Sequence, residues 1–274
     1  MVKVTDSTYR LPTIEALSSF GVFESGATLP MRVWGVDRET GERGQYVVKY
    51  KNQSRMIGSA SSFEFLGAWM AQEIGLNAAE PVAINISENF VSTLSGRDGF
   101  KAASQSIGLN FGSKYVAGVT QIPPTGFTLT NEQIEQAKQL FVLDLFMQNT
   151  DRGHVKPNVG LHQDDLFVYD HELAFSFLRL LSFARSKTPW ILDPADSELY
   201  KKHFFYRYLK GQEEDFSEQV NELTKLNDDF WRCVNQHMPV DFKVDELTKI
   251  KDYLLPFLNH LSEFAASIHK TMTS

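Results

Sequence analysis

The sequence predicts an α+β fold in which a small β-rich part precedes a larger helical part. Residues 1–93 contain short runs of β-branched and aromatic residues separated by turn residues. Residues 127–274 instead carry apolar residues at helical spacing. The intervening residues 94–126 are rich in Gly and Ser and end near Pro123-Pro124, so we predict an irregular connection where two lobes meet.

Composition narrows the functional classes. The net charge of −7 argues against a general nucleic-acid binder, which needs clustered Lys and Arg, so we expect no direct nucleic-acid binding. Cys233 is the only cysteine, which excludes an intramolecular disulfide and a zinc site built on cysteines. The N-terminal residues lack the apolar core of a signal peptide, and no apolar run approaches the roughly 20 residues of a membrane span. We therefore expect a cytoplasmic protein.

The N-terminal part predicts several strands and one helix. VFESGATLPMRVWGV predicts two strands around a Ser25-Gly26-Ala27-Thr28 turn, and QYVVKYK predicts a short strand that contains Lys49. SSFEFLGAWMAQEIGL predicts a helix with a capping box between Ser61 and Glu64 and a stop at Gly75. PVAINI and NFVSTL predict a further pair of strands.

The C-terminal part predicts helices around one hairpin. Thr130 or Asn131 begins a helix that continues to Met147. VGLHQDDLFVYD predicts two strands that turn at residues 163–165. The last segment has the spacing of buried helix, and Pro256 should kink or divide it.

The loop NTDRGHVKPN and the hairpin behind it contain the candidate chemistry. Asp170 follows the apolar run LFVY, where an ionised carboxylate needs a cation or several donors. Asn158 precedes the first strand of the hairpin, so we expect it near Asp170. Amide and carboxylate oxygens suit Mg²⁺, and Asp151 is placed to orient a hydroxyl nucleophile or to accept its proton. Alternatives remain open: Asp151 as turn chemistry, Glu64 as a helix cap and Lys49 as a strand-edge residue.

Six short motifs occur in an order that resembles the HipA-like kinases, which are related to the phosphatidylinositol kinases and, more distantly, to protein kinases. They are SGATLP, YVVK, SSFEFLGAW, LNFGSKYV, NTDRGHVKPN and YDHELAF, within residues 25–175. The resemblance implies a protein-kinase-like two-lobe fold with the nucleotide in the cleft. It also implies Mg²⁺-ATP-dependent phosphorylation of a hydroxyl, on Ser or Thr of a protein.

The resemblance also implies roles for individual residues. Lys49 would contact the α- and β-phosphates of ATP, and Glu64 would fix Lys49 in place. Asp151 would be the catalytic carboxylate, with Asn158 and Asp170 as the Mg²⁺ ligands. Asn158 lies seven residues after Asp151, a longer spacing than in protein kinases, which matches a longer-loop variant of the family.

Further contacts with the nucleotide follow from the same resemblance. The turn of Ser25, Gly26, Ala27 and Thr28 would cover the phosphates with backbone N–H groups and hydroxyls. Arg152 would steady the catalytic loop or touch phosphate.

The implied partners are ATP, Mg²⁺, a protein substrate and an antitoxin-type protein in a toxin–antitoxin pair. Two other functions use the same residues. One is a kinase-fold module that binds a nucleotide or a partner without transfer, as a pseudokinase does. The other is a small-molecule or lipid kinase, although the sequence has no clear basic patch for a lipid headgroup.

Overall fold

The computed structural model describes residues 2–23, 28–53, 55–56, 58–123, 125–181, 185–211 and 215–273. It has mixed α/β content with a strand-rich N-terminal region, as the sequence predicts. No helix in these residues combines the length and the apolar character that a membrane crossing requires.

The N-terminal strands form one closed sheet. They are β1 (Thr13–Val22), β2 (Met31–Asp37), β3 (Arg43–Lys49), β4 (Pro81–Ile86) and β5 (Gly108–Lys114). Their order is β1-β2-β3-β5-β4, and β4 closes the sheet by pairing in parallel with β1. Closure pairs the edges of the sheet, and its interior is filled by apolar side chains such as Ile14, Val48 and Ile84.

Helix α1 (Ala60–Glu73) lies between β3 and β4 in sequence and is buried along most of its length. The capping box predicted for Ser61 and Glu64 is wrong. The N-cap is Ser59, two residues earlier than predicted, and it makes no side-chain cap hydrogen bond, while Glu64 is buried. Gly75 has a φ of +95°, so the predicted stop after this helix is confirmed.

Residues 87–121 differ most from the prediction. NFVSTL forms helix α2 (Glu88–Thr93) rather than a strand, because the Ser87 hydroxyl accepts a hydrogen bond from the N–H of Phe90 and caps the helix. The segment predicted to be irregular contains α3 (Phe100–Ser104), β5 and β6 (Thr120–Gln121). β5 contains two glycines and an asparagine but pairs with two strands, so tertiary pairing overrides its weak local preference.

The predicted elements on either side of residues 149–158 are confirmed. Helix α4 (Asn131–Met147) starts with a capping box between Thr130 and Gln133. Strands β7 (Val159–His162) and β8 (Asp165–Val168) form the predicted hairpin, and β6 joins β7 at its outer edge.

The remaining helices are short. They are α5 (Pro194–Tyr200), α6 (Tyr206–Leu209), α7 (Ser217–Asn221), α8 (Asp228–His237), α9 (Asp245–Leu254) and α10 (Leu261–Thr273). Short 3-10 helices cover Ser176–Arg179, Glu222–Lys225, Val240–Phe242 and Leu255–Asn259. Pro256 lies in the last of these and separates α9 from α10, as predicted. The main hydrophobic core joins α1, α4 and these helices.

Candidate functional site

A cavity of about 510 Å³ lies between the closed sheet and the β7–β8 hairpin. Its walls are largely apolar where β3 and β5 face the hairpin, with Val47, Phe111, Ile122 and Val168 among the lining residues. Its polar end contains Lys49, Glu64, Asn158, Asp170 and His171. The cavity therefore combines an apolar region with a compact group of charged and amide side chains.

Lys49 is the centre of that polar group. Its Nζ donates hydrogen bonds to Glu64, to Asp170 Oδ1 at 2.7 Å and to Glu172 Oε2 at 2.8 Å. Burial opposes the protonated form, but the three carboxyl groups raise the pKa of Lys49 well above its ordinary value. Lys49 is therefore a buried ammonium held by β3, α1 and the segment that follows β8.

The carboxyl groups around Lys49 are not equivalent. Burial and a hydrogen bond with Asp170 raise the pKa of Glu172 to about 9, so it is protonated at neutral pH. For Asp170 burial acts in the same direction, but Lys49 outweighs it and holds the pKa below its usual range. Lys156 adds a second cation, 3.2 Å from Asp170 Oδ2. Asp170 is thus an ionised carboxylate.

Asn158 connects this group to the predicted catalytic carboxylate. Tyr169 N–H donates to the Asn158 carbonyl at 3.4 Å, which places Asn158 beside Asp170 across the hairpin. The Asn158 amide nitrogen donates to the carboxylate and to the carbonyl oxygen of Asp151, at 3.3 and 3.2 Å. The structure therefore brings Asp151, Asn158 and Asp170 together.

The Asp151 side chain is partly open to solvent. It is 24% exposed, and Arg55 Nη1 lies 3.7 Å from its Oδ2. Its own N–H donates to the Asn149 side chain at 3.2 Å, which fixes the start of the loop. A carboxylate in this position is accessible to a molecule that approaches from outside the cavity.

Arg152 is fully buried, away from the cavity lining. Its guanidinium donates to both Asp144 carboxylate oxygens and to the Asn158 carbonyl, at 2.6 Å for the last. His203 Nε2 lies 2.9 Å from Asp144 Oδ2. Burial raises the pKa of Asp144, but Arg152 and His203 outweigh it and lower the pKa to about 2. Of the two roles predicted for Arg152, this geometry supports steadying the loop rather than touching phosphate.

The predicted phosphate-covering turn is described only at one residue. Ser25, Gly26 and Ala27 lie outside the described residues. Thr28 is buried and lines the cavity.

Several residues of the site were missed at the sequence level. Glu172, two residues after Asp170, is one of them, and its charged side chain in an otherwise apolar segment was the available signal. Asp144, in the middle of the apolar face of α4, was a similar signal. Lys156 in the loop gave none beyond its charge.

A divalent metal fits the donors present. The Asn158 Oδ1 is buried and has no hydrogen-bond partner, while Asp170 is an ionised carboxylate in the same cavity. Carboxyl oxygens of Glu64, Asp170 and Glu172 also lie within 4.8 Å of one another. Hard oxygen donors of this kind suit Mg²⁺.

Comparisons with known proteins include one family match and two structural similarities. A family model described as HipA-like kinase matches residues 23–255. Two solved structures also align with the chain. The Helicobacter pylori proinflammatory kinase CtkA is 11% identical with a TM-score of 0.43, and the alignment covers 94% of this chain and 98% of that one. A mutant of the Neurospora crassa PAN3 pseudokinase is 10% identical with a TM-score of 0.35, covering 97% and 66%. No curated protein matches significantly in sequence.

Proposed function

Because the chain belongs to the HipA-like kinase family, we propose that it is a Mg²⁺-ATP-dependent phosphotransferase acting on a hydroxyl, on Ser or Thr of a protein. The observation that supports this most is the grouping of Asn158 and Asp170 with the Lys49–Glu64 pair at the polar end of one cavity. Asp151 is hydrogen-bonded to Asn158 next to that group. These are the parts that phosphoryl transfer requires, because its catalysis rests on positioning and electrostatics.

The nucleotide would occupy the 510 Å³ cavity, with its base against the apolar walls and its phosphates toward Lys49. Lys49 would donate to phosphate oxygens, and Glu64, which is buried and contacts it, would keep its ammonium in place. Thr28 and the turn at Ser25, Gly26 and Ala27 would cover the phosphates. In this arrangement the closed sheet with α1 is the small lobe and the region from α4 onward is the larger lobe.

Asn158 and Asp170 would hold Mg²⁺, which when bound neutralises charge on the phosphates. Asp151 would accept a hydrogen bond from the acceptor hydroxyl. As the hydroxyl oxygen bonds to the γ-phosphorus, the bond from that phosphorus to the β–γ bridging oxygen breaks, and the hydroxyl proton passes to Asp151. Arg152, paired with Asp144, would keep the loop between Asp151 and Asn158 in place.

The test is phosphoryl transfer by Asp151→Ala. We expect transfer to fall by on the order of a hundredfold or more, while ATP still raises the melting temperature as it does for the unaltered protein. The matched control is Asp164→Ala, which removes an exposed carboxylate at the tip of the β7–β8 hairpin and should leave transfer unchanged. Full activity of the Asp151 variant would reject the assignment.

A nucleotide-binding module without transfer is the second candidate, and one observation favours it. Both Asp170 oxygens already face a cation, Lys49 on one side and Lys156 on the other. A metal ion at Asp170 would therefore share these oxygens with two ammonium groups, which compete with it for the carboxylate. A thermal-shift titration with ATP, with and without Mg²⁺, separates the two candidates, because the module predicts ATP binding that is indifferent to the metal.

A small-molecule or lipid kinase would bind ATP in the same cavity, so the nucleotide site does not distinguish these acceptors from a protein. A cytoplasmic location and an antitoxin-type partner remain predictions from the sequence and the family resemblance.

A further inference from the structure

A second cavity, of about 280 Å³, lies beside the catalytic loop and carries an excess of basic residues. It is formed by the start of α1, the segment after β8 and one face of α9. Its charged lining residues are Arg55, Glu172, Arg179, Arg185, Glu246 and Lys249. Four cationic groups therefore face two carboxyl groups in this cavity.

Two of the four cationic residues, Arg179 and Lys249, are not paired with a carboxylate in the part of the chain that is described. Among the residues that the structure describes, Arg179 and Lys249 have no carboxylate within salt-bridge distance. Both are exposed at the mouth of the cavity. Cations that outnumber the carboxyl groups around them repel one another, and an anion in the cavity reduces that repulsion.

The start of α1 adds donors to the same cavity. Ser59 and Ala60 line it, and the N-cap Ser59 gives no side-chain hydrogen bond to the first turn. The first turn, all of it described, has no acidic residue either. Its N–H groups and the positive end of the helix dipole therefore favour an anion at this position, in addition to the arginines.

The cavity is linked directly to the proposed catalytic carboxylate. Arg55 lines it and lies 3.7 Å from Asp151, and Glu172 lines it while it contacts Lys49. A molecule in this cavity is therefore next to the Asp151 side, outside the proposed nucleotide cavity.

We propose that this second cavity binds an anionic side chain of the phosphoryl acceptor, a carboxylate or a phosphate close to the accepting hydroxyl. The inference rests on the proposed phosphotransfer function and narrows its substrate to acidic or already phosphorylated peptides. Arg179 and Lys249 determine this specificity without touching the nucleotide.

The experiment uses the double variant Arg179→Gln/Lys249→Gln and the control Arg97→Gln/Lys101→Gln, whose residues are exposed and line neither cavity. Transfer is measured to a Ser peptide with flanking Asp, to one with flanking phosphoserine and to one with flanking Asn. We expect the KM of the two anionic peptides to rise about tenfold in the first variant only. Transfer to the Asn peptide and the KM for ATP should not change. Equal use of all three peptides by the unaltered protein would overturn the proposal.

A second measurement does not require transfer. Inorganic phosphate is titrated calorimetrically into the unaltered protein, without nucleotide. Saturable binding that weakens about tenfold in the double variant and not in the control supports the cavity even if no peptide is phosphorylated. Absence of saturable binding, or binding that the double variant retains, overturns it whether or not the protein is a kinase.

Discussion

Asn158 donates from its amide nitrogen to the Asp151 carboxylate, with 3.3 Å between Nδ2 and Oδ2, and leaves its own buried Oδ1 without a partner. One side chain thus orients the proposed catalytic group and offers an oxygen to a metal ion. Its backbone φ of +50° is tolerated by Asn better than by most residues.

Asn158→Ala should uncouple nucleotide binding from the metal. The variant loses the only amide oxygen assigned to Mg²⁺, so we expect the Mg²⁺-dependent part of ATP affinity to fall at least about tenfold. Binding of ATP without Mg²⁺ should change little. Calorimetric titrations with and without Mg²⁺ measure both quantities. An undiminished metal effect in the variant would remove Asn158 from the metal site.

Lys49→Met should destabilise the fold as well as weaken nucleotide binding. It leaves Glu64, Asp170 and Glu172 buried without their shared cation, at a cost of about 3 kcal/mol in the free energy of unfolding at neutral pH. The difference should shrink in acid, where the carboxylates take up protons. Urea unfolding at two pH values measures it, with the exposed Lys101→Met as control. Equal stability of both variants would contradict the described network.

The buried Asp144–Arg152 pair should make the free energy of unfolding decrease at low pH. The pKa of Asp144 is lowered from 3.8 to about 2 by folding, so the carboxylate stabilises the fold above pH 4. That contribution, about 2 kcal/mol, is lost as the pH falls through the folded-state pKa.

Asp144→Asn isolates this contribution. The variant should be less stable than the unaltered protein at pH 7, because Arg152 loses its buried partner. Denaturant unfolding is measured from pH 7 to pH 2. The difference in free energy of unfolding between the unaltered protein and the variant should be smaller by about 2 kcal/mol at pH 2 than at pH 7. A difference that stays constant with pH would mean that Asp144 does not titrate as described.

Gly67→Ala should disturb the segment that positions Asp170. A Cβ at Gly67 would lie 2.5 Å from both Cβ and Cγ of His171, the residue after Asp170. Overpacking costs about 1–3 kcal/mol, whereas alanine gains about 1 kcal/mol of helix propensity in α1, so we expect a net decrease in the free energy of unfolding. ATP affinity should also decrease. The double variant Gly67→Ala/His171→Gly removes the clash and should recover part of the stability. A fully stable Gly67→Ala protein would contradict the close packing.

The sequence could predict those parts of the site that are close along the chain. The loop from Asp151 to Asn158 and the hairpin that ends before Asp170 are local, so turn residues and alternation place them. The Lys49–Glu64 pair followed from the order of motifs in the family. Local signals failed for β5, whose Gly-rich sequence pairs only because β3 and β4 flank it, and for α2, where the Ser87 cap outweighed a β-rich composition.

Long-range contacts explain the remaining differences. Glu172 reaches Lys49 across 123 positions, and Asp144 meets His203 across 59, so no spacing rule connects them. The capping box at Ser61 and Glu64 had the right pattern, but the buried contact with Lys49 and the N–H of His171 uses the Glu64 side chain instead. Tertiary burial, rather than local sequence, decided the role of that residue.

The most direct test is the crystal structure of the protein with a non-hydrolysable ATP analogue and Mn²⁺, whose anomalous signal locates the metal. We expect the base between β3, β5 and the hairpin, the phosphates at Lys49, and one Mn²⁺ bound by Asn158 Oδ1 and an Asp170 carboxylate oxygen. We also expect the γ-phosphate to face Asp151. A nucleotide bound elsewhere, or a metal held without Asn158 and Asp170, would contradict it.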